Sequence, residues 1–348
     1  MDQQTAAAPG QSRCPMSVQS YKATEQQCAN WWLQHACYGE AAEHLIGAGD
    51  TALITQFLVA HGWSFYRNGQ YQLLKRCFEK ISPESVARDV TLTLIRAWSL
   101  LIDEDPLQAD KAIKLSEKLL MPQGSDQASY WAVRSAIAVI FDDFPAAEQW
   151  AKKALSSRNS PRPWECCHCS LTIAEARIKQ CDFAGAEFAL AAANRLCQSE
   201  NYTTLKIQVR FLTSQILIAQ GCWPAAQKVL ESALVESRER GLSRLFSIDH
   251  LQHAYARVLR LQGSYQLALD ELQTMDTSAR PLGDYWMFPI LSEQLLTSLF
   301  ASDKDTVTQQ KLCQKIQDLG CRESFSVAWQ LQADRALILY WAQQAALK

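Results

Sequence analysis

Seven times along this chain one short break recurs: typically a Gly or Asp, then an anchor residue, then a small residue three positions later. The copies read CYGEAAEHL, NGQYQLLKR, EDPLQADKA, DDFPAAEQW, CDFAGAEFAL, GCWPAAQKVL and GSYQLALDEL, with anchors Tyr38, Tyr71, Pro106, Phe144, Phe183, Trp223 and Tyr265. The anchors are separated by 33, 35, 38, 39, 40 and 42 residues. Two helices of about 15 residues and two short turns fill such a period, so each period reads as one helix hairpin. The anchor seats the turn. The small residue, Ala147, Ala186, Ala226 or Ala268 in four copies, lets the second helix approach the first.

Between the breaks, Val90–Leu101, Ser129–Phe141, Leu171–Gln180 and Ile248–Gln262 are apolar at helical spacing. Alternating runs of the β type, bounded by two-residue turns, are missing. Thirteen glycines and eleven prolines in 348 residues also leave little turn chemistry for a sandwich, a barrel or a Rossmann sheet. The expected fold is all-α: a solenoid superhelix of about eight tetratricopeptide-like hairpins, its first helices lining a concave surface. Residues 1–24, small, polar and aperiodic, read as a disordered lead-in, and residues 25–348 as the repeat domain.

Lys and Arg total 34 against 36 Asp and Glu, a net charge of −2, and charges of both signs are interspersed. That excludes a broadly basic nucleic-acid binder, and no basic stripe for phosphates appears. The N-terminus lacks the apolar core of a secretory signal, and no run of about 18 apolar residues could span a membrane. The twelve cysteines are therefore expected as free, mostly buried thiols in a reducing cytoplasm.

Residues 28–101 carry a more specific signal. The run from Cys28 to Asp50 leads from a Trp-containing helix into a segment with Glu40, Ala41, Glu43, His44, Ala48, Gly49 and Asp50. A hairpin with Arg67, Gly69, Leu73, Leu74, Arg76 and Pro83 follows, and then a helix with Leu94, Ile95, Arg96, Ala97, Trp98, Leu100 and Leu101. In order and spacing this resembles the helical sensor region of the large ATP-dependent LuxR-type transcriptional regulators, the group that includes the maltose activators. Members of that family begin with an ATPase module and end with a helix-turn-helix. Here there is no G-x-x-x-x-G-K-[ST] phosphate loop, and after Trp341 only AQQAALK remains. The resemblance therefore implies a sensing or protein-contact role in transcription regulation, with neither ATP nor duplex DNA bound by this chain. A scaffolding solenoid without a small-molecule ligand is the competing reading.

No enzymatic constellation survives inspection. Cys166 and Cys169 in WECCHC could share a helix face, with Cys181 or Cys197 as further thiolates for zinc, but no second C-x-x-C exists. Small buried thiols at the start of a first helix fit better. His250 and His253 stand one helical turn apart without the Glu or third ligand of a metal site. No metal and no cofactor are expected. Aromatic side chains near the starts of first helices, among them Trp131, Trp164 and Trp286, could stack on a sugar ring or anchor a partner helix. The polar and aromatic residues expected on the concave side are Trp131, Arg134, Trp164, His168, Arg210, His250, His253 and Arg257. Together they would form a recognition groove for a protein partner or a small metabolite, a sugar among the candidates.

Overall fold

The computed structural model describes residues 18–67, 70–102, 106–117, 126–158, 161–200, 202–240, 246–276, 284–301, 305–320 and 327–346. These residues form eighteen helices and no strand. In chain order the helices are α1 (Val18–Gln34), α2 (Tyr38–Ala48), α3 (Thr51–Arg67), α4 (Tyr71–Phe78), α5 (Pro83–Val86), α6 (Val90–Ile102), α7 (Pro106–Ser116), α8 (Gln127–Ile140) and α9 (Phe144–Leu155). They continue with α10 (Pro163–Lys179), α11 (Phe183–Ser199), α12 (Thr203–Ala219), α13 (Trp223–Glu239), α14 (Phe246–Leu261), α15 (Tyr265–Asp276), α16 (Asp284–Phe300), α17 (Thr306–Gly320) and α18 (Val327–Ala346).

Every anchor read from the sequence opens a second helix: α2, α4, α7, α9, α11, α13 and α15 begin at Tyr38, Tyr71, Pro106, Phe144, Phe183, Trp223 and Tyr265. Before five of them, Tyr38, Phe144, Phe183, Trp223 and Tyr265, the turn is one repeated device. Two residues ahead of the anchor the backbone is left-handed, with φ of 55° at Ala36, 58° at Asp142, 61° at Cys181, 74° at Gly221 and 83° at Gly263. The next amide reaches back to a carbonyl near the end of the first helix. These bonds are Cys37 to Trp32 at 3.0 Å, Asp143 to Ala138 and Asp182 to Arg177 at 2.9 Å, Cys222 to Leu217 at 2.8 Å, and Ser264 to Leu259 at 2.9 Å. Such a closure satisfies carbonyls that the helix end would otherwise leave open. Where the residue before the anchor is Asp, its carboxylate also starts the second helix. Asp143 accepts from the Ala146 amide at 3.2 Å, and Asp182 from the Gly185 amide at 2.9 Å. Three residues after the anchor, Ala41, Ala109, Ala147, Ala186, Ala226 and Ala268 are each fully buried; in α4 Leu74 takes that place, also fully buried.

The chain divides into two compact units, Met1–Phe65 with Gln70–Ser82 and Tyr66–Gly69 with Pro83–Lys348. In the first, α1 packs on α2 and α2 on α4. The Arg76 guanidinium grips the Glu43 carboxylate with two bonds of 2.6 and 2.7 Å, and the Tyr38 ring stacks on His61 at 4.3 Å. Helix α1 starts at Val18, inside the stretch expected as an unstructured lead-in, and residues 1–17 lie outside the described residues. Tertiary contact explains the extension: Glu25 accepts from His44 Nδ1 at 2.7 Å and Tyr21 bonds to Glu25, fixing the first turns of α1 on α2.

The second unit contains α5, then the pairs α6/α7, α8/α9, α10/α11, α12/α13, α14/α15 and α16/α17, and finally α18 against α16. First helices contact first helices in the series α6, α8, α10, α12, α14, α16, α18, and each second helix from α7 to α15 also touches the first helix that follows it. That nearest-neighbour pattern is a helical-repeat solenoid. The side of each first helix turned away from its partners is called the inner face below. Core residues between successive pairs lie on the other side, as where Leu230, Leu251 and Val258, all fully buried, join α13 to α14.

Candidate binding face

Counting back from each anchor decides which way a first-helix side chain points, because an α-helix turns by about 100° per residue. Positions 8, 12, 15 and 19 residues before the anchor fall within one narrow sector. It contains Trp98 of α6, Trp164, His168 and Glu175 of α10, and His250, His253 and Arg257 of α14. Positions 10 and 13 before the anchor lie on the opposite side and hold Trp131, Arg134 and Arg210. The contacts follow this division.

On the inner face, Trp98 meets residues of α10, although α8 lies between α6 and α10 in the packing order. Its ring lies 5.4 Å from that of Trp164 and 4.8 Å from that of His168, and Tyr66, at the end of α3 and in the same compact unit, lies 4.8 Å from Trp164. Trp98 and Trp164 are each only 2% exposed, so these rings cover one another. The Tyr66 hydroxyl sits 3.5 Å from His168 Nε2. Burial among aromatic faces pushes the His168 pKa down to about 4, so the imidazole is neutral at pH 7 and can both donate and accept. The return of α18 closes this side further: the Val327 amide at its start donates to the Asp142 carboxylate, in the turn before α9, at 2.6 Å. Glu175 of α10 is near Asp142, and its pKa is raised by burial.

Farther along, His250 lies against Phe211 of α12 at 5.2 Å, while His253 faces the Pro289 carbonyl and Glu293 of α16. The two imidazoles of the suggested metal half-site thus address different neighbours. Among the described residues no three His, Cys, Asp or Glu side chains are grouped to hold a metal ion. Arg257 stands one turn beyond His253, and Arg260 follows on the same stripe. Arg260 forms an ion pair with Glu293, whose carboxylate is 1% exposed, and Gln332 of α18 donates to the other Glu293 oxygen at 2.9 Å.

The remaining expected groove residues contact second helices. Trp131 lies under the Lys153 ammonium of α9, 4.5 Å from the ring centre. Arg134 reaches Asp110 of α7 at 3.3 Å and rests over Trp150 of α9 at 5.6 Å. Arg210 pairs with Glu236 of α13 at 2.6 Å, in a shallow crevice shared with Arg240. All three tie first helices to second helices, because they sit about 140–200° around the helix from the inner sector. The side chain of Trp286 lies outside the described residues. Cys166 is half-buried, whereas Cys167 and Cys169 are fully buried. Cys167 Sγ approaches Cys197 Sγ at 3.3 Å, and burial pushes the Cys169 thiol up.

Sequence reasoning stopped at Arg257 and so omitted Arg260, Glu293 and Gln332. Arg260 was legible as the next residue on the His253–Arg257 stripe. Glu293 was legible as the one acidic residue among the apolar side chains of MFPILSEQLLTSLF.

No family model matches the chain. The HTH-type transcriptional regulator MalT of Vibrio cholerae serotype O1 is 22% identical over 342 residues, which cover 95% of this chain and 37% of that protein. The chain thus spans little more than a third of the length of that relative. Among solved structures, NprR in complex with its cognate peptide NprX superposes with a TM-score of 0.59 at 13% identity, over 82% of both chains. The apo form of RapI gives a TM-score of 0.49 at 10% identity, covering 94% of this chain and 98% of that one. The NprR similarity supports the helical-repeat fold, and similarity to a transcriptional regulator runs through nearly the whole chain. No described helix is long and apolar enough to cross a membrane.

Proposed function

We propose that this chain is a non-enzymatic sensing module of the kind found in LuxR-type, maltose-activator-like transcriptional regulators. Its inner face would hold a small signal molecule or a short segment of a protein partner. The observation that carries the reading is the similarity to MalT across 95% of this chain, in a region made of helix pairs. The inner face supplies suitable chemistry: neutral His168 beside aromatic rings on α10, and His250, His253 and Arg257 on α14. Binding and signalling are coupled through the repeat. A ligand that touches α10, α14 and α18 together favours the pitch at which those contacts coincide, and selecting one pitch moves both ends of the array.

Hydrogen exchange and thermal stability of the whole chain, measured with maltotriose and with tetra-alanine as probes, test this assignment. A bound probe should protect α10, α12 and α14 and raise the melting temperature, as any ligand selective for the folded state does. His168→Ala with His250→Ala should remove the effect. Protection confined to second helices, or to α1–α4, would contradict the inner-face assignment.

A further inference from the structure

One carboxylate, that of Glu293 in α16, is paired with Arg260 of α14, and a second guanidinium on the same stripe of α14, Arg257, lies within the electrostatic reach of both. That carboxylate is already used on both oxygens. Arg260 Nε holds one and Gln332 Nε2 the other, and Glu293 itself is 1% exposed. Arg260 is therefore a structural partner: its side chain is 10% exposed, and its charge is matched.

Arg257 is different. It is half-buried between His253 and Arg260 on the inner stripe of α14, yet among the described residues it donates no hydrogen bond and makes no ion pair within 4 Å. It feels the attraction of Glu293 and the repulsion of both Arg260 and Arg335, and burial lowers its pKa. A guanidinium taken partly out of water without a partner costs stability, and a folded protein retains such a group where something else completes it.

We propose that Arg257 is the receptor for a carboxylate group of the ligand, resting on the reading that the inner face is where the ligand binds. The planar fork of a guanidinium matches a carboxylate in two parallel bonds, and the adjoining Glu293 shows a carboxylate on the same face held at both oxygens, one by Arg260 and one by Gln332. The surroundings disfavour phosphate. A guanidinium also grips phosphate, but Arg257 stands in the middle of α14, where the amides that reinforce phosphate binding at a helix N-terminus are spent in the helix.

The test uses the whole chain, with citrate as a carboxylate probe and inorganic phosphate and sodium chloride at matched ionic strength as comparisons. Tetra-alanine is then set against its C-terminal amide. Citrate should raise the melting temperature more than phosphate or chloride does, and tetra-alanine should outperform its amide. Arg257→Gln should weaken the apparent affinity for citrate at least tenfold, while Arg257→Lys, which keeps the charge but not the fork, should recover only part of it. Without probe, Arg257→Gln should melt no lower than the parent chain, whereas Arg260→Gln, which strips Glu293 of its cation, should melt clearly lower. A citrate effect no larger than that of phosphate, or unchanged by Arg257→Gln, would overturn the carboxylate assignment. So would a fall in apo stability in Arg257→Gln as large as in Arg260→Gln. If a probe still protects α10–α14 in the Arg257→Gln chain with undiminished affinity, the inner-face reading survives and only this inference fails.

Discussion

The left-handed residue two positions before Tyr38, Phe144, Phe183, Trp223 and Tyr265 offers a sharp test of how these hairpins are made. At Gly221 and Gly263 the backbone φ is 74° and 83°, and a Cβ added at either position would meet nothing within 4 Å. Changing either to Ala therefore alters backbone preference alone, with no clash and no lost contact. Placing an L-residue in the left-handed region costs about 1–2 kcal/mol. The substitution also restricts the unfolded chain, which offsets about 0.4–1 kcal/mol. The net expectation is a loss of about 0.5–1 kcal/mol for each site, and about twice that for the double variant, since separated turns add. The reverse change tests the same physics with opposite sign. Cys181 holds φ 61° without a glycine, so Cys181→Gly should gain about 0.5 kcal/mol. Gly39→Ala serves as the control: this glycine lies in the first turn of α2 without a positive φ, and the change should be neutral or stabilising. Urea titrations followed by circular dichroism at 222 nm measure all of these. If Gly221→Ala and Gly263→Ala leave the midpoint unmoved, or Cys181→Gly lowers it, the left-handed closure does not govern these turns.

Three further outcomes follow from the packing and the buried groups. Ala226 is fully buried where α13 meets its neighbours, so Ala226→Leu must push helices apart, and a loss of about 1–3 kcal/mol is expected in the same urea assay; no loss would mean that the small position has no packing role. In the native chain a disulfide reagent should label exposed Cys181 and Cys222 first, while Cys77, whose thiol burial pushes up to about 12, and fully buried Cys167 and Cys169 react only after denaturation; peptide mapping of the modified thiols checks the order. His168 has a folded pKa of about 4 against 6.5 when unfolded, so its contribution is complete above pH 6.5 and is lost as pH falls toward 4, where the unfolded chain alone takes the proton. His168→Gln should flatten part of that acid limb, with the rest remaining because burial depresses His253 in the same direction; an unchanged limb would remove His168 from the account.

The hairpin register was readable without coordinates because it is set by local chemistry. A residue that tolerates the left-handed region, an Asp that can cap the next amides and an Ala that permits close approach all act within a few residues of one another. The Ala stands three places after every anchor but Tyr71, the Asp one place before Phe144 and Phe183, and the glycine two places before Trp223 and Tyr265. The fates of His168 and Arg210 show where that legibility ended. Both are polar residues on first helices, but their distances from the anchor, 15 and 13 residues, place them on opposite sides of the helix. The offset was present in the sequence, yet only the packing showed which neighbours each sector meets. Other relations belong to tertiary structure alone. Trp98 meets His168 across an intervening helix, Val327 caps onto Asp142, and Glu293 is taken by Arg260 and Gln332, leaving Arg257 unmatched. No local pattern encodes these pairs. They depend on the small rotation that each hairpin adds to the one before it, and it is the accumulated rotation that brings residues distant in the chain within reach of a ring or a hydrogen bond.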